Sequence, residues 1–183
     1  LGQQQHFWER KLPFELHVVR TNGLQEGAQV SLSGVPIGSV TDLRFPGGSE
    51  TSVYRWKHGT GSAHLRPVMP DPVFKWHIDY DFGTDEYLEL CLALGIGPHI
   101  TLNIGSGAPG EAEEWAAYCA EWFRKKAGKL PPAYFQMGNE QNMNHEAAHM
   151  TADMYVEALR EFVPGVRRAW PGARIIALGE KGS

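Results

Sequence analysis

The stretch that decides the fold is residues 98–140, PHITLNIGSGAPGEAEEWAAYCAEWFRKKAGKLPPAYFQMGNE. It opens with an apolar run over residues 98–104, which predicts a strand that ends in a Gly- and Ser-containing turn. Apolar side chains then recur at helical spacing from about residue 110 to 127, and Gly128 is the expected stop of that helix. Residues 133–137 predict the next strand. Strand, helix and strand with short connections are typical of parallel strands joined by a helical crossover.

The same alternation continues on both sides of this stretch. Downstream, a helix begins near Thr151, and a strand over residues 174–178 follows it. Pro164 lies inside that helix and should remove one hydrogen bond and bend it. Upstream, a helix begins with Thr84 as the expected N-cap and stops at Gly95.

The first part of the chain carries weaker signals. Residues 14–19 and 39–45 predict short strands, whereas residues 24–34 predict only a short helix because glycine and serine interrupt the helix formers. A long loop then runs from Ser49 to about Phe82. Loops of that length in a compact domain are usually functional or disordered, and the aromatic content of this one favours a functional loop.

These elements together predict an α/β fold with about five parallel strands and flanking helices, in a single domain covering residues 1–183. A closed (β/α)8 barrel needs eight strands and about 250 residues, so the prediction is a partial, truncated barrel of the TIM type. A small open doubly wound sheet is the alternative. The start at Leu1 has neither an initiator Met nor a signal-peptide pattern, which predicts a cut or a processing product.

Composition argues against several classes of partner. The 42% hydrophobic and 21% charged residues are those of an ordinary globular protein. A net charge of −4 without a basic stripe argues against nucleic acid and membrane partners. Cys91 and Cys119 fall on the apolar sides of predicted helices, which predicts two buried free thiols. We expect no cofactor and no metal, and the compartment, cytoplasmic or secreted, stays open.

Polar, Gly-rich segments follow three of the predicted strands, at residues 44–49, 103–107 and 138–142. The carboxyl ends of parallel strands share one edge of a sheet, where function concentrates. Glu140 is the sharpest candidate, because a carboxyl beside apolar walls favours its neutral form and can donate a proton. Asn139 can hydrogen-bond a sugar hydroxyl beside it. The structural alternative is an Asn-Glu pair that caps the next helix.

Several segments together resemble the α-L-arabinofuranosidases of glycoside hydrolase family 51. They are Leu43-Arg44-Phe45-Pro46-Gly47-Gly48, Tyr54-Arg55-Trp56-Lys57-His58-Gly59-Thr60-Gly61, Phe82-Gly83-Thr84-Asp85-Glu86-Tyr87-Leu88, Ile100-Thr101-Leu102-Asn103-Ile104-Gly105-Ser106-Gly107 and Gly138-Asn139-Glu140. Their order and approximate spacing match the family from about residue 40 to residue 179. The resemblance implies a retaining (β/α) barrel that releases α-L-arabinofuranosyl residues from plant cell-wall polysaccharides, with one catalytic glutamate after the fourth strand and another after the seventh.

The resemblance also implies roles for single residues. Glu140 would be the acid/base, Asn139 would bind the 2-hydroxyl of the sugar, and Arg44 would orient the nucleophile. Trp56 and Asn103 would belong to the wall of the substrate site. Where the family normally has Asn after Pro-Gly-Gly, this chain has Ser49, a shorter hydrogen-bonding group that changes the expected sugar contacts.

The seventh-strand nucleophile that the resemblance implies is absent from the chain, and Glu180 is interpreted as a surface residue. Retaining hydrolysis needs two carboxyl groups about 5–5.5 Å apart. The isolated polypeptide is therefore expected to bind sugar weakly and to turn over very little. Exposed strand edges of a partial barrel also predict a homo-oligomer or a complementing remainder of the barrel.

Three other functions compete with this one. A xylanase or endoglucanase on the same barrel scaffold could use residues 49–82 to line an extended cleft, and a non-catalytic carbohydrate-binding module is a further alternative.

His145-Glu146-Ala147-Ala148-His149 fits the zinc motif His-Glu-x-x-His. Zinc binding by this metalloprotease motif needs both histidines on one helix. Because the predicted helix begins only near Thr151, we interpret the match as chance.

Overall fold

A computed structural model describes residues 29–32, 35–39, 42–71, 75 and 77–179. The predicted strand over residues 14–19 lies outside these residues. The first elements that the structure describes are two strands, β1 (Gln29–Leu32) and β2 (Val35–Ser39), which pair as an antiparallel hairpin. The prediction of a helix over residues 24–34 is therefore wrong for residues 29–32, where strand pairing prevails over weak helix propensity.

A four-stranded parallel sheet forms the centre of the molecule. Its strands are β3 (Arg44–Phe45), β6 (His99–Leu102), β7 (Tyr134–Met137) and β8 (Arg174–Ile176), and they lie side by side in chain order. The register places Phe45 beside Ile100 and Ile100 beside Phe135. The predicted strand over residues 39–45 is shorter than expected, because Ser39 belongs to β2 and only Arg44 and Phe45 pair with the sheet.

Three α-helices connect these strands: α1 (Thr84–Leu94), α2 (Pro109–Ala127) and α3 (Ala152–Ala169). The helix stops predicted at Gly95 and Gly128 are confirmed, since both residues have φ of 70°. The helix α3 continues through Pro164. No helix among the described residues has the length and apolar character needed to cross a membrane.

The N-cap of α1 differs from the prediction. Thr84 is the first helical residue, and Gly83 occupies the cap position, where its N–H donates to the Glu86 carboxylate at 2.9 Å. A Cβ atom at residue 83 would lie 2.2 Å from the carbonyl oxygen of Gly59. Only glycine therefore allows this close approach between the helix start and the preceding segment.

The described residues between 49 and 82 hold more regular structure than the predicted loop. They contain three 3-10 turns, at Ser49–Ser52, Trp56–Gly59 and Ala63–Leu65. Two short strands, β4 (Met69–Pro70) and β5 (His77–Ile78), form a second hairpin. Short local hydrogen bonds build these elements, so they leave little periodicity in the sequence.

The core lies between the sheet and the helices. Every side chain of β6 is buried, and the inner faces of α1 and α2 contribute fully buried residues such as Leu88 and Ala116. Cys91 and Cys119 are buried free thiols, as predicted, and burial raises the pKa of Cys91 to about 12. The predicted class, α/β with parallel strands and flanking helices, is confirmed.

Candidate active site

The carboxyl ends of β3, β7 and β8 meet at one cleft. Its volume is about 350 Å³, and its described lining is Arg44, Gly48, Ser49, Gln136, Asn139, Glu140 and Leu178. Four of the residues predicted from the sequence are thus brought together: Arg44, Ser49, Asn139 and Glu140. The prediction that polar strand ends converge on one edge of a parallel sheet holds for these four.

The backbone of Glu140 adopts a left-handed conformation, with φ of 51°. Such a conformation is uncommon for residues with a side chain and costs of order 1–2 kcal/mol. Its side chain is exposed at the cleft. The expected apolar walls are wrong, because the other described lining residues are polar or glycine apart from Leu178. The alternative role as a helix cap is also wrong, since Thr151 caps α3.

Buried hydrogen bonds hold this backbone in place. Gly138, with φ of 76°, precedes the site, and a Cβ atom there would lie 2.5 Å from Gln141 Oε1. That same oxygen accepts the Asn139 N–H at 2.9 Å. Gln136 donates from Nε2 to the Gly138 carbonyl oxygen at 2.9 Å. Two buried amide side chains therefore fix the turn that presents Glu140.

Asn139 connects two of the strand ends. It is 6% exposed, and its Oδ1 accepts a hydrogen bond from Arg44 Nη1 at 3.3 Å. The Arg44 cation therefore orientates the Asn139 amide by bonding Oδ1, and the Nδ2 hydrogens lie at the other end of the same planar group. Such an arrangement suits recognition of a sugar hydroxyl beside Glu140.

Tyr155 of α3 supports the floor of the cleft. Its hydroxyl donates to the carbonyl oxygen of Met137 at 2.8 Å and accepts the N–H of Leu178 at 2.8 Å. Burial raises the pKa of Tyr155, so this hydroxyl keeps its proton. The end of β7 and the segment after β8 are thereby joined through one side chain.

Trp56 and Asn103, the other two predicted site residues, lie outside this cleft and line a separate small cavity with Trp115. Asn103 donates from Nδ2 to the Tyr54 carbonyl oxygen at 3.1 Å, and its Oδ1 accepts the N–H groups of Ser106 and Gly107. The ring of Trp56 stacks parallel to that of Trp115. The amide of Asn103 therefore holds the turn after β6 together.

Sequence reasoning missed Glu146 as part of this region. Its carboxylate accepts hydrogen bonds from Ser49 Oγ at 2.5 Å and Ser52 Oγ at 3.1 Å, and its side chain has no exposed surface. The zinc motif was the only signal that singled it out. Ser49, predicted to contact sugar, thus lies in the cleft with its hydroxyl already bonded to a buried carboxylate.

The zinc motif itself lacks the required helix. Residues 141–148 form turns, and α3 begins only at Ala152. Glu140, His145 and Glu146 have potential ligand atoms within 4.8 Å of one another, and His149 is not part of this group. Both oxygens of Glu146 in this group already accept serine hydroxyls. The interpretation of the motif as a chance match agrees with this geometry.

Glu146 also brings a second carboxylate within 4.8 Å of Glu140, a spacing near that of retaining glycosidases. A nucleophile must, however, reach the anomeric carbon in the cleft. Glu146 is enclosed and both of its oxygens accept serine hydroxyls, so it cannot act in that way. Among the described residues that line the cleft, Glu140 is the only carboxylate.

Comparison with known proteins shows the family of the chain. Residues 39–183 match the family model of the alpha-L-arabinofuranosidase 1 domain. A probable alpha-L-arabinofuranosidase C of Aspergillus fumigatus is 30% identical over 151 residues, which are 77% of this chain and 30% of that protein. An intracellular exo-alpha-L-arabinofuranosidase of Bacteroides ovatus is 41% identical over 81 residues, or 44% of this chain and 16% of that protein.

Solved structures give the same result. An alpha-L-arabinofuranosidase from Thermotoga maritima in complex with arabinose is 34% identical, with a TM-score of 0.67 over 76% of this chain and 31% of that one. The family 51 enzyme from Thermotoga petrophila is also 34% identical, with a TM-score of 0.66. The chain spans about 30% of the length of the Aspergillus relative and less of the Bacteroides one. By sequence and fold, this chain belongs to the family of the α-L-arabinofuranosidases, glycoside hydrolase family 51.

Proposed function

We propose that the protein containing this chain hydrolyses α-L-arabinofuranosides with retention of configuration, and that Glu140 is its acid/base. The named relatives are arabinofuranosidases, and one solved relative is a complex with arabinose. Arabinofuranosyl side groups of plant cell-wall polysaccharides are the proposed natural substrate. The chain itself would contribute one half of the catalytic pair together with part of the sugar-binding wall.

The observation that carries this proposal is the position of Glu140. Its carboxyl is exposed at the carboxyl-end cleft, on a strained turn that Gln136 and Gln141 hold in place. Asn139 lies next to it and is orientated by Arg44. Strain maintained by buried hydrogen bonds is typical of functional sites, where it fixes the direction of a reacting group.

The chemistry assigned to Glu140 has two steps. In the first, a carboxylate outside the described cleft attacks the anomeric carbon while Glu140 protonates the departing glycosidic oxygen. In the second, Glu140 removes a proton from water, which attacks the same carbon and releases the sugar. Asn139 and Arg44 would hold the sugar during both steps.

The decisive experiment compares leaving groups in the polypeptide encoded by the complete reading frame. In Glu140→Gln, kcat/KM for an alkyl arabinofuranoside should fall about 100-fold or more, because general acid catalysis contributes about 10²–10⁴-fold. The loss should be far smaller for a dinitrophenyl arabinofuranoside, whose leaving oxygen needs no proton. Glu157→Gln, a change at an exposed residue of α3, is the matched control. Equal losses on both substrates would refute the acid role.

We propose low turnover for the 183-residue chain alone, since its cleft offers one carboxylate among the described residues. Calorimetry with L-arabinose and an assay of aryl arabinofuranoside hydrolysis measure binding and turnover separately. Hydrolysis at the rate of the complete polypeptide would show that a nucleophile is supplied within residues 1–183.

We also propose that the chain pairs with a second copy or with a complementing segment. In the described sheet β3 and β8 lie at the two edges, and unpaired strand edges favour association. Light scattering of the purified chain tests this, and a clean monomer across a wide concentration range would contradict it.

A further inference from the structure

Glu146 is a buried carboxylate directly behind the wall of the cleft. Its side chain is fully enclosed, with Ser49 Oγ at 2.5 Å from Oε1 and Ser52 Oγ at 3.1 Å from Oε2. Only Ser49 of these two serines lines the cleft. Of the two hydroxyls bonded to Glu146, that of Ser49 belongs to the cleft lining, while the exposed His145 ring lies 3.7 Å from Oε1.

The direction of the Ser49 hydrogen bond follows from elementary chemistry. An ionised carboxylate can only accept, and a serine hydroxyl has one hydrogen and two acceptor lone pairs. A hydroxyl–carboxylate bond at 2.5 Å is of the short, charge-assisted kind. The single hydrogen of Ser49 is thus committed to Glu146, and only lone pairs are available toward the cleft.

Glu146 is held in place by its own loop. Gln141 donates from Nε2 to the Ala148 carbonyl oxygen at 3.2 Å, and the Gln141 carbonyl oxygen accepts the Met150 N–H at 2.7 Å. Ser52 is fixed as well, since its carbonyl oxygen accepts the Ser106 hydroxyl at 2.7 Å. Hydrogen bonds therefore tie both the loop that carries Glu146 and the Ser49–Ser52 turn to their neighbours.

We propose that Glu146 is a positioning residue that sets the specificity of the cleft by making Ser49 a hydrogen-bond acceptor toward the sugar. The cleft then selects a sugar whose hydroxyl donates at this point. This inference rests on the proposed function, because it concerns the same sugar site. It also gives a role to a motif that zinc chemistry does not explain.

The test uses an aryl α-L-arabinofuranoside and its 2-, 3- and 5-deoxyfluoro analogues with the polypeptide of the complete reading frame. Fluorine cannot donate a hydrogen bond. At one of the three positions, fluorination should therefore lower kcat/KM more in the unmodified polypeptide than in a Ser49→Ala variant. We expect the difference to be about tenfold, the size of one hydrogen bond. Comparing each variant on the same substrate pair cancels the electronic effect of fluorine.

Two further variants separate positioning from simple stability. Glu146→Gln keeps the size of the side chain but offers an amide donor, which can release the Ser49 hydrogen. The fluorine penalty, meaning the loss of kcat/KM that fluorination causes, should therefore be at least threefold smaller in this variant than in the unmodified polypeptide. Ser52→Ala removes the other hydroxyl that donates to Glu146. Because Ser52 does not line the cleft, this variant should keep the fluorine penalty of the unmodified polypeptide. Urea unfolding of each variant reports stability independently.

Each outcome supports or contradicts either the proposed function or the role of Glu146. If the unmodified polypeptide cleaves no arabinofuranoside, the proposed function fails and this inference fails with it. If it cleaves, and Glu140→Gln shows the leaving-group dependence described above, the proposed function stands. An unchanged fluorine penalty in Ser49→Ala or Glu146→Gln, or a loss of that penalty in Ser52→Ala, would then overturn the role of Glu146 alone.

Discussion

Gly138→Ala should destabilise the protein by more than the cost of placing alanine in a left-handed conformation. Residue 138 has φ of 76°, and a left-handed alanine costs roughly 1–2 kcal/mol. The new Cβ would also lie 2.5 Å from Gln141 Oε1 and 2.9 Å from Ile104 Cγ1. Moving Gln141 breaks its buried bond to the Asn139 N–H, which adds about 1–3 kcal/mol. The free energy of unfolding should therefore fall by about 2–5 kcal/mol.

A second glycine provides the control for this change. Gly172 has φ of 85°, but a Cβ atom there would meet no atom within 4 Å. Gly172→Ala thus carries the cost of the backbone conformation without the clash, about 1–2 kcal/mol. Urea unfolding of both variants, followed by circular dichroism, measures the difference. If Gly138→Ala is no less stable than Gly172→Ala, the close packing inferred around Glu140 is wrong.

Two further changes test the supports of the site and of α1. In Tyr155→Phe the Leu178 N–H and the Met137 carbonyl oxygen lose their shared partner. The free energy of unfolding should therefore fall by about 1–3 kcal/mol, and hydrogen exchange of the Leu178 amide should become faster. Unchanged exchange at Leu178 would contradict this. Burial is the largest single effect on Glu86 and would raise its pKa, but its bonds to Arg66 and to the Gly83 N–H together outweigh burial and lower the pKa. A lowered folded-state pKa stabilises the protein above the unfolded value of 4.5, and this stability is lost as the pH falls through the folded-state pKa. Glu86→Gln should therefore cost most at pH 7 and progressively less below pH 4.5 in urea titrations; a cost that does not change with pH would refute the ion pair.

Part of the candidate site could be predicted because parallel strands end at one edge. Arg44 lies within the short strand β3, Asn139 and Glu140 follow β7, and all three line the same cleft. Asn103 follows such a strand too, yet its amide is used within its own turn. A position at a strand end therefore selects candidates, while the local hydrogen bonds decide which of them face the cleft.

Local signals suffice for the helices. The apolar spacing and the glycines at 95 and 128 set α1 and α2, because helix formation and left-handed caps depend on residues only a few positions apart. The class of fold follows from the order of these elements. The sequence by itself therefore determined the order of α1, α2 and α3 and of the sheet strands between them, as well as the family, and it placed Glu140 at a strand end.

Only the tertiary structure decided the surroundings of that carboxyl. Glu146 lies next to Ser49 although they are separated by 97 positions, and no periodicity relates two loops so far apart. The left-handed backbone of Glu140 likewise depends on the buried side chains of Gln136 and Gln141. Such contacts form when separate loops close over one sheet edge, so their geometry is a property of the packed chain and not of any one segment.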